Sequence, residues 1–194
     1  MGKLVVTEFV SLDGVMQAPG GEEFKYPGWS FAFDRGDDGN QFKLQESLES
    51  DVMLIGRVTY ESFARAWPSR EGEFADKFNS MPKYVVSSTL ENPEWNNTTV
   101  LKGDASEEAA KLKQEVDGDI YVHGSARLVQ TLIENDLVDE LRLMVFPVIL
   151  GTGKGLFGGT SDKKRLQLVD SNVVGDGVAI LVYQRSDENA SATA

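Results

Sequence analysis

The chain has 194 residues, the size of one domain with one sizeable core. Its 19 Lys and Arg stand against 31 Asp and Glu, and a net charge of −12 repels phosphate backbones and anionic lipid, so nucleic acid and membrane surfaces are set aside as partners. With no cysteine, disulfides, thiolate nucleophiles, iron–sulfur clusters and cysteine-type zinc sites are excluded together, and the one histidine, His123, excludes a multi-histidine metal site. No metal is expected.

In chain order, Leu4–Leu12 is rich in Val and Phe and ends at the turn pair Asp13-Gly14, which predicts a strand and a tight loop. Residues 17–40 carry Gly, Pro and acidic residues without periodicity and read as a long loop, a length that is usually functional or mobile. Leu44 and Leu48, four apart, predict a short helix over Phe42–Ser50. Val52–Ile55 is a short apolar strand closed by Gly56, and Thr59–Ala66 a helix stopped by Trp67-Pro68. Lys83–Ser88 and Thr98–Leu101 are two more β-rich runs. Asp104 with Glu107 forms a capping pair before a helix carrying Ala105, Ala109, Leu112 and Val116 on one stripe. Asp119–His123 is a strand that stops at Gly124, and Leu128, Val129, Leu132 and Ile133 line the next helix. A long strand covers Leu141–Phe146, and residues 166–174 and 177–184 form a hairpin around Gly175-Asp176-Gly177. Strands alternating with helices predict an α/β sandwich with a mostly parallel sheet, the hairpin adding an antiparallel edge. Residues 1–185 are expected as a single domain and 186–194, small and polar, as a disordered tail. The longest apolar run, Leu143–Leu150, is eight residues and contains Pro147, whereas a membrane helix needs about 20. With no targeting segment visible, a cytoplasmic protein is expected.

Several places invite a chemical reading. Gly153, Gly155 and Gly158 have the spacing of a dinucleotide fingerprint, but no helical stripe follows, and Gly155 stands where a P-loop needs Ser or Thr, so the stretch reads as a flexible loop between strands. Gly56, Arg57 and Thr59 sit where a buried strand turns into a helix, and His123, Gly124, Ser125 and Ala126 sit at a second such junction. A helix start offers free N–H groups and a dipole that favours negative charge, Gly allows close approach, and Arg57 adds a cation with several donors. The alternative is that both glycines only turn the chain and that Thr59 and Ser125 cap their helices. Ser87 and Ser88 end a third strand, so three strand ends together suggest one ligand-binding rim. No Gly-x-Ser-x-Gly elbow exists, so a hydrolase triad is set aside, and His123 reads as a strand-end residue beside a cofactor rather than a base. Trp29, Phe31 and Phe33 alternate in the long loop and either stack on a planar substrate or pack on the core. Asp13, Asp34, Asp37 and Asp38 are the carboxylates near this loop.

In combination these segments resemble a known family. Ile55-Gly-Arg-Val-Thr-Tyr-Glu-Ser62 and Val86-Ser87-Ser88 resemble segments of dihydrofolate reductase, and Val122-His123-Gly124-Ser125 stands where that enzyme carries Gly-Gly. The whole chain, from about residue 3 to 184, is more similar still to the C-terminal reductase domain of the bifunctional riboflavin-biosynthesis deaminase-reductase and its stand-alone bacterial relatives. Ser11-Leu-Asp-Gly14, Pro82-Lys-Tyr-Val-Val-Ser87, Gly124-Ser-Ala-Arg-Leu-Val129, Leu137-Val-Asp-Glu-Leu141 and Pro147-Val-Ile-Leu-Gly-Thr-Gly153 carry that resemblance.

The resemblance implies a dihydrofolate-reductase-like three-layer sandwich and NADPH as hydride donor to a C=N or C=O group of a small, pterin- or pyrimidine-like substrate. By this likeness Gly56, Arg57 and Thr59 form the first phosphate-binding helix start. Ser87 and Ser88 lie near the 2′-phosphate, and Gly124, Ser125 and Ala126 under the pyrophosphate. Gly14, in the loop from Asp13 to Met16, lies near the nicotinamide, and Trp29 and Phe33 are candidates to hold the substrate. The acid that serves the pterin in dihydrofolate reductase falls near Asp34–Asp38, and the deaminase half of the riboflavin enzyme is absent. Of the carboxylates, Asp13 is expected to be structural or substrate-orienting, and Asp34 is the candidate proton donor, partial burial raising its pKa. Water is the alternative donor. A non-catalytic NADP(H)-binding or sensor protein is the alternative function. A homodimer through strands 139–147, 166–174 and 177–184 is expected from apolar residues such as Phe146, Ile149, Leu166 and Leu168 and from the way the related domains pair.

Overall fold

The structure, a computed structural model, describes residues 2–186. The tail expected over 186–194 lies, beyond Ser186, outside them. Eight strands form one sheet: β1 (Leu4–Ser11), β2 (Val52–Gly56), β3 (Lys83–Val86), β4 (Thr98–Leu101), β5 (Ile120–Val122), β6 (Glu140–Phe146), β7 (Leu166–Val174) and β8 (Val178–Arg185). Their order is β4-β3-β2-β5-β1-β6-β8-β7. The pairings from β4 to β6 are parallel, and β8 then joins β6, and β7 joins β8, antiparallel. Every residue of β2 and β5 is buried, the pattern of parallel strands covered on both faces.

Five helices supply the cover: α1 (Gly36–Glu49), α2 (Arg57–Ala66), α3 (Glu73–Ser80), α4 (Ala105–Glu115) and α5 (Ala126–Glu134). On one face Leu112 of α4 and Leu128, Val129 and Leu132 of α5 pack on Leu4, Val6 and Val10 of β1, Leu54 of β2 and Val122 of β5. On the other, Tyr60 and Phe63 of α2 and Phe78 of α3 pack on Met53, Ile55 and Val85. Beside them α1 and the loop before it cover β1, β6 and β8 through Phe42, Trp29, Phe146 and Ile180. The result is the three-layer sandwich, mostly parallel with an antiparallel C-terminal hairpin. The Asp104 side chain accepts from Ser106 N and Glu107 N, the expected cap of α4.

Two expectations are corrected. The long loop ends at Arg35, not residue 40, and contains one 3-10 turn at Trp29–Ala32, because α1 begins at Gly36. The Leu44–Leu48 pair is not its buried face: Leu48 is 41% exposed, and the residues turned inward are Gly39, Glu46 and Ser47, with Lys43 beside them. A helix whose inner face is polar has no apolar period to read. Helix α3 was not anticipated at all. Its buried side is Ala75 and Phe78, too short a stripe over eight residues to stand out, and Gly72 precedes it at φ +103°.

Candidate active site

The connection from β1 leaves through α1 on one face, and the connection from the adjacent strand β5 leaves through α5 on the other. Ligands in open α/β sheets bind outside the carboxyl ends of strands at such a switch point. The ladder between β1 and β5 runs only from Leu4↔Ile120 to Val6↔Val122, whereas β1 continues to Ser11 against β6. A crevice therefore opens beside β1 past Val6, and the end of β5, His123-Gly124, borders it. Gly56 N still donates to Gly124 O at 3.1 Å, which holds the other border to β2.

The two anticipated junctions meet at this crevice. Thr59 of α2 and Ser125, the residue before α5, lie 3.1 Å apart hydroxyl to hydroxyl, and Thr59 N donates to Ser125 Oγ at 3.3 Å. Neither helix is capped by the side chain of its own preceding residue, so the alternative of simple helix caps is not what the structure shows. Close approach explains both glycines. A methyl on Gly56 would sit 2.6 Å from Ser125 Oγ, and one on Gly124, which has φ +94°, would sit 2.9 Å from Thr59 Oγ1. The Gly124–Ser125 peptide is cis. Ala126 opens α5 and is buried. Arg57 lies at the rim, half-exposed and paired with Glu61 at 2.7 Å. Ser87, at the end of β3, is buried and its hydroxyl accepts from Thr89 N and Leu90 N, while Ser88 is exposed.

The remaining candidates fall differently. Asp13 accepts from Ser11 Oγ at 2.6 Å, Gly151 N at 2.8 Å and Leu150 N at 3.1 Å. These bonds hold its carboxyl ionised, at about 2, and tie the β1 turn to the glycine-rich loop. Gly14 extends that tie, its carbonyl accepting from Leu156 N. Asp34 is exposed, not partly buried as expected; it accepts from Gly36 N and its backbone pairs with Asp176. Trp29 is buried edge-on against Phe146, whereas Phe33 is half-buried and lines an open hollow of about 350 Å³ with Phe9, Phe31, Arg35 and Asn40. A larger hollow of about 460 Å³ lies at the amino ends of β3 and β4, among Asn79, Ser80 and Trp95, away from the rim. The His123 ring packs edge-on against Phe78 at 5.2 Å; its Nε2 is buried without a partner, and desolvation pushes its pKa down to about 3.

A second group of charges had escaped notice. Glu8 of β1 is 7% exposed, and its Oε1 has no hydrogen-bond partner. Burial drives its pKa well above the ordinary carboxylate value, against the nearby Lys43. Lys43 of α1 donates to Thr7 Oγ1 at 2.7 Å and pairs with the buried Glu46. Glu22 reaches from the long loop to Ser62 of α2, leaving its Oε2 buried and unpartnered. The signal in the sequence was there: Glu8 is the single charged residue within Leu4–Leu12, but in a strand a polar residue reads as facing water. Among the described residues no group of His, Asp and Glu could hold a metal, and no helix is long and apolar enough to cross a membrane.

Fold and rim together define a reductase-like domain of the dihydrofolate-reductase type. The model of the RibD C-terminal domain matches residues 2–180, and the chain belongs to that family. It is 34% identical over 138 residues to the uncharacterized protein YyaP of Bacillus subtilis (strain 168), covering 69% of this chain and 73% of that one. Among solved structures it is similar to a provisionally assigned riboflavin biosynthesis protein of Shewanella sp. PV-4, with a TM-score of 0.73, 23% identity and coverage of 95% and 99%. It is also similar to RibD of Acinetobacter baumannii, with a TM-score of 0.67, 16% identity and coverage of 96% of this chain and 58% of that one. At these identities the structural likeness speaks for the fold.

Proposed function

We propose that the protein is a cytoplasmic NADPH-dependent reductase of a C=N or C=O group in a small, planar, pterin- or pyrimidine-like substrate. The observation that carries this reading is the meeting of two helix starts, uncapped by their own residues, through Thr59 and Ser125 at the carboxyl ends of β2 and β5. The residues present fit the cofactor: Gly56 and Gly124 leave the backbone bare, and helix N–H groups favour phosphate. In this reading Ser125 and Ala126 hold the pyrophosphate, Arg57, Ser87 and Ser88 the 2′-phosphate, and the turn at Asp13-Gly14 flanks the nicotinamide. The bound cofactor supplies hydride; the chain supplies orientation and the exclusion of water. The substrate is placed against Phe33 in the hollow beside Phe9 and Arg35, where ring faces and a guanidinium suit a flat, polar heterocycle. Leu166, Leu168, Val169 and Val173 are exposed on the edge strand β7, and a second copy covering them makes the homodimer of this proposal. Calorimetric titration with NADPH and NADH, followed by NADPH oxidation against a panel of cyclic imines, pterins and carbonyls, tests the function. Failure of NADPH to bind overturns it.

A further inference from the structure

We propose that Glu8 is a cofactor-binding residue: its buried carboxyl donates a hydrogen bond to the pyrophosphate received where Gly124 meets Thr59. The proposal rests on the reductase reading above and goes one step beyond it, to a proton that binds together with the cofactor.

Position carries it. Side chains alternate along β1, so Glu8 shares a face with Leu4, Val6 and Val10, the face of α5. It stands two residues past Val6, the last residue of β1 laddered to β5, where the crevice opens. Its Oε1 lies 3.7 Å from the point where a methyl on Gly124 would sit, and Thr59 Oγ1 lies 2.9 Å from the same point. The carboxyl, the Thr59 hydroxyl and the bare backbone of Gly124 thus border one spot, next to Ser125. Glu8 is 7% exposed, and its Oε1 has no hydrogen-bond partner among the described residues. Leaving a buried polar oxygen unpaired costs stability, and a ligand atom seated against Gly124 relieves that cost.

The chemistry of the ligand sets the direction of the bond. Pyrophosphate oxygens accept and do not donate. An ionised carboxylate also only accepts, so beside phosphate it adds repulsion to an oxygen that is already unmet. A protonated carboxyl donates, and an O–H bond to an anionic oxygen is one of the stronger kinds. The surroundings agree. The charges that act on Glu8 are Lys43 and Glu46 from α1 and Glu22 from the long loop. Thr59 of α2 and Gly124 and Ser125 before α5 are uncharged, and His123 stays neutral with its ring against Phe63 and Phe78. Burial, with Glu22 and Glu46 behind it, outweighs the pull of Lys43, so Glu8 keeps its proton above the usual carboxylate range.

Cofactor binding is therefore linked to the Glu8 proton. While the free protein holds that proton, affinity is level with pH. Once the free protein has lost it, each cofactor bound takes one proton up, and affinity falls by up to about tenfold per pH unit.

The test needs no substrate. Wild type, Glu8→Gln and Glu8→Leu are titrated with NADPH in a calorimeter from pH 6 to 10 at constant ionic strength. Each titration is run in two buffers of different ionisation heat, which counts the protons taken up. The cofactor's 2′-phosphate titrates near about pH 6 with wild type and variants alike, so the difference between proteins isolates Glu8. Wild type should take up more protons than Glu8→Gln at the alkaline end, approaching one. Glu8→Gln, whose amide N–H donates at every pH, should hold its affinity where wild type loses it. Glu8→Leu should bind NADPH about tenfold or more weakly at pH 7. Should Glu8→Leu fold poorly, the proton count of Glu8→Gln decides alone. Equal proton uptake by wild type and Glu8→Gln, or wild-type affinity in a folded Glu8→Leu, overturns the assignment of Glu8 and leaves the reductase reading intact. Affinity that rises with pH in wild type and is lost in Glu8→Gln also overturns it, because the carboxylate is then accepting from a cofactor hydroxyl. Absence of NADPH binding to wild type removes both.

Discussion

Thr59 and Ser125, 66 residues apart in the chain, meet hydroxyl to hydroxyl at 3.1 Å and lock the start of α2 to the start of α5. Two glycines make the contact possible, and they do so for different reasons. Gly124 has φ +94° and no room for a methyl, whereas Gly56 has an ordinary φ of −84° and lacks only the room. Gly124→Ala should therefore destabilise by about 1–3 kcal/mol through backbone strain and also part Thr59 from Ser125. Gly56→Ala adds no backbone strain, but its methyl would meet Ser125 Oγ at 2.6 Å, Cβ at 3.1 Å and the backbone N at 3.2 Å, so it should lower the melting temperature by pushing Ser125 aside. Both should weaken NADPH at least tenfold by calorimetry. Wild-type affinity in Gly56→Ala would show that the junction is not the phosphate site.

Arg57 sets a second expectation. Among the described residues its guanidinium pairs with Glu61 one turn on, and an exposed i,i+4 pair contributes about 0.3–0.5 kcal/mol, so it can exchange that partner for a phosphate at little cost. NADPH should bind more tightly than NADH. Arg57→Ala should lose about tenfold for NADPH, little for NADH, and nothing measurable in melting temperature, since a charged hydrogen bond contributes roughly 1.5–3 kcal/mol. Equal affinity of wild type for the two cofactors sinks the assignment.

These glycines and the arginine were legible because strand-to-helix junctions punctuate the sequence: an apolar run, a Gly, then a helical stripe. The strands were legible for the same reason, down to Val52–Gly56 and Ile120–Val122, whose residues are buried on both faces. What stayed hidden was polar burial. Helix α1 turns Gly39, Glu46 and Ser47 inward, and Glu8 sits in β1 as though facing water. Pattern reading equates polar with exposed, so it passes over the residues that break this equation. Asp34 was misplaced by the converse error, a loop acid beside aromatics assumed buried.

Lys83 is another buried charge, with a structural task. Its ammonium donates to the carbonyls of Asn79, Met81 and Asn96 at 2.8–3.1 Å and lies 4.4 Å from the Trp95 ring centre. It closes the C-terminal end of α3 and fastens the turn before β4. Lys83→Met keeps the stem but strips a donor from three carbonyls, so the urea midpoint should fall by the equivalent of about 3 kcal/mol. NADPH affinity should not change, because these carbonyls lie at the amino ends of the strands. An unaltered midpoint would show that the ammonium offsets no more than its own desolvation.

The pH dependence of stability follows from Glu8 and His123 taken together. The imidazole drops from 6.5 unfolded to about 3 folded, so below pH 6.5 the unfolded chain binds the extra proton. Its contribution is present above 6.5 and is lost as pH falls toward 3. Glu8 is raised above 4.5 on folding, so above pH 4.5 the folded chain holds a proton that the unfolded chain has released. Its contribution is present below 4.5 and is lost as pH rises toward the folded value. Each group gives a slope of up to about 1.4 kcal/mol per pH unit, with opposite sign. Above pH 4.5, where both act, the two slopes oppose each other, and the rise of melting temperature from acid should flatten there. Glu8→Gln removes one slope: the melting temperature should climb from acid to about pH 6.5 and then stay level. His123→Phe removes the other, and stability should decline from about pH 4.5 upward. Calorimetric melting from pH 3 to 9 at constant ionic strength distinguishes the three curves. If Glu8→Gln gains no more stability than wild type as pH rises from 4.5 to 6.5, the proton that is held on folding belongs to another group.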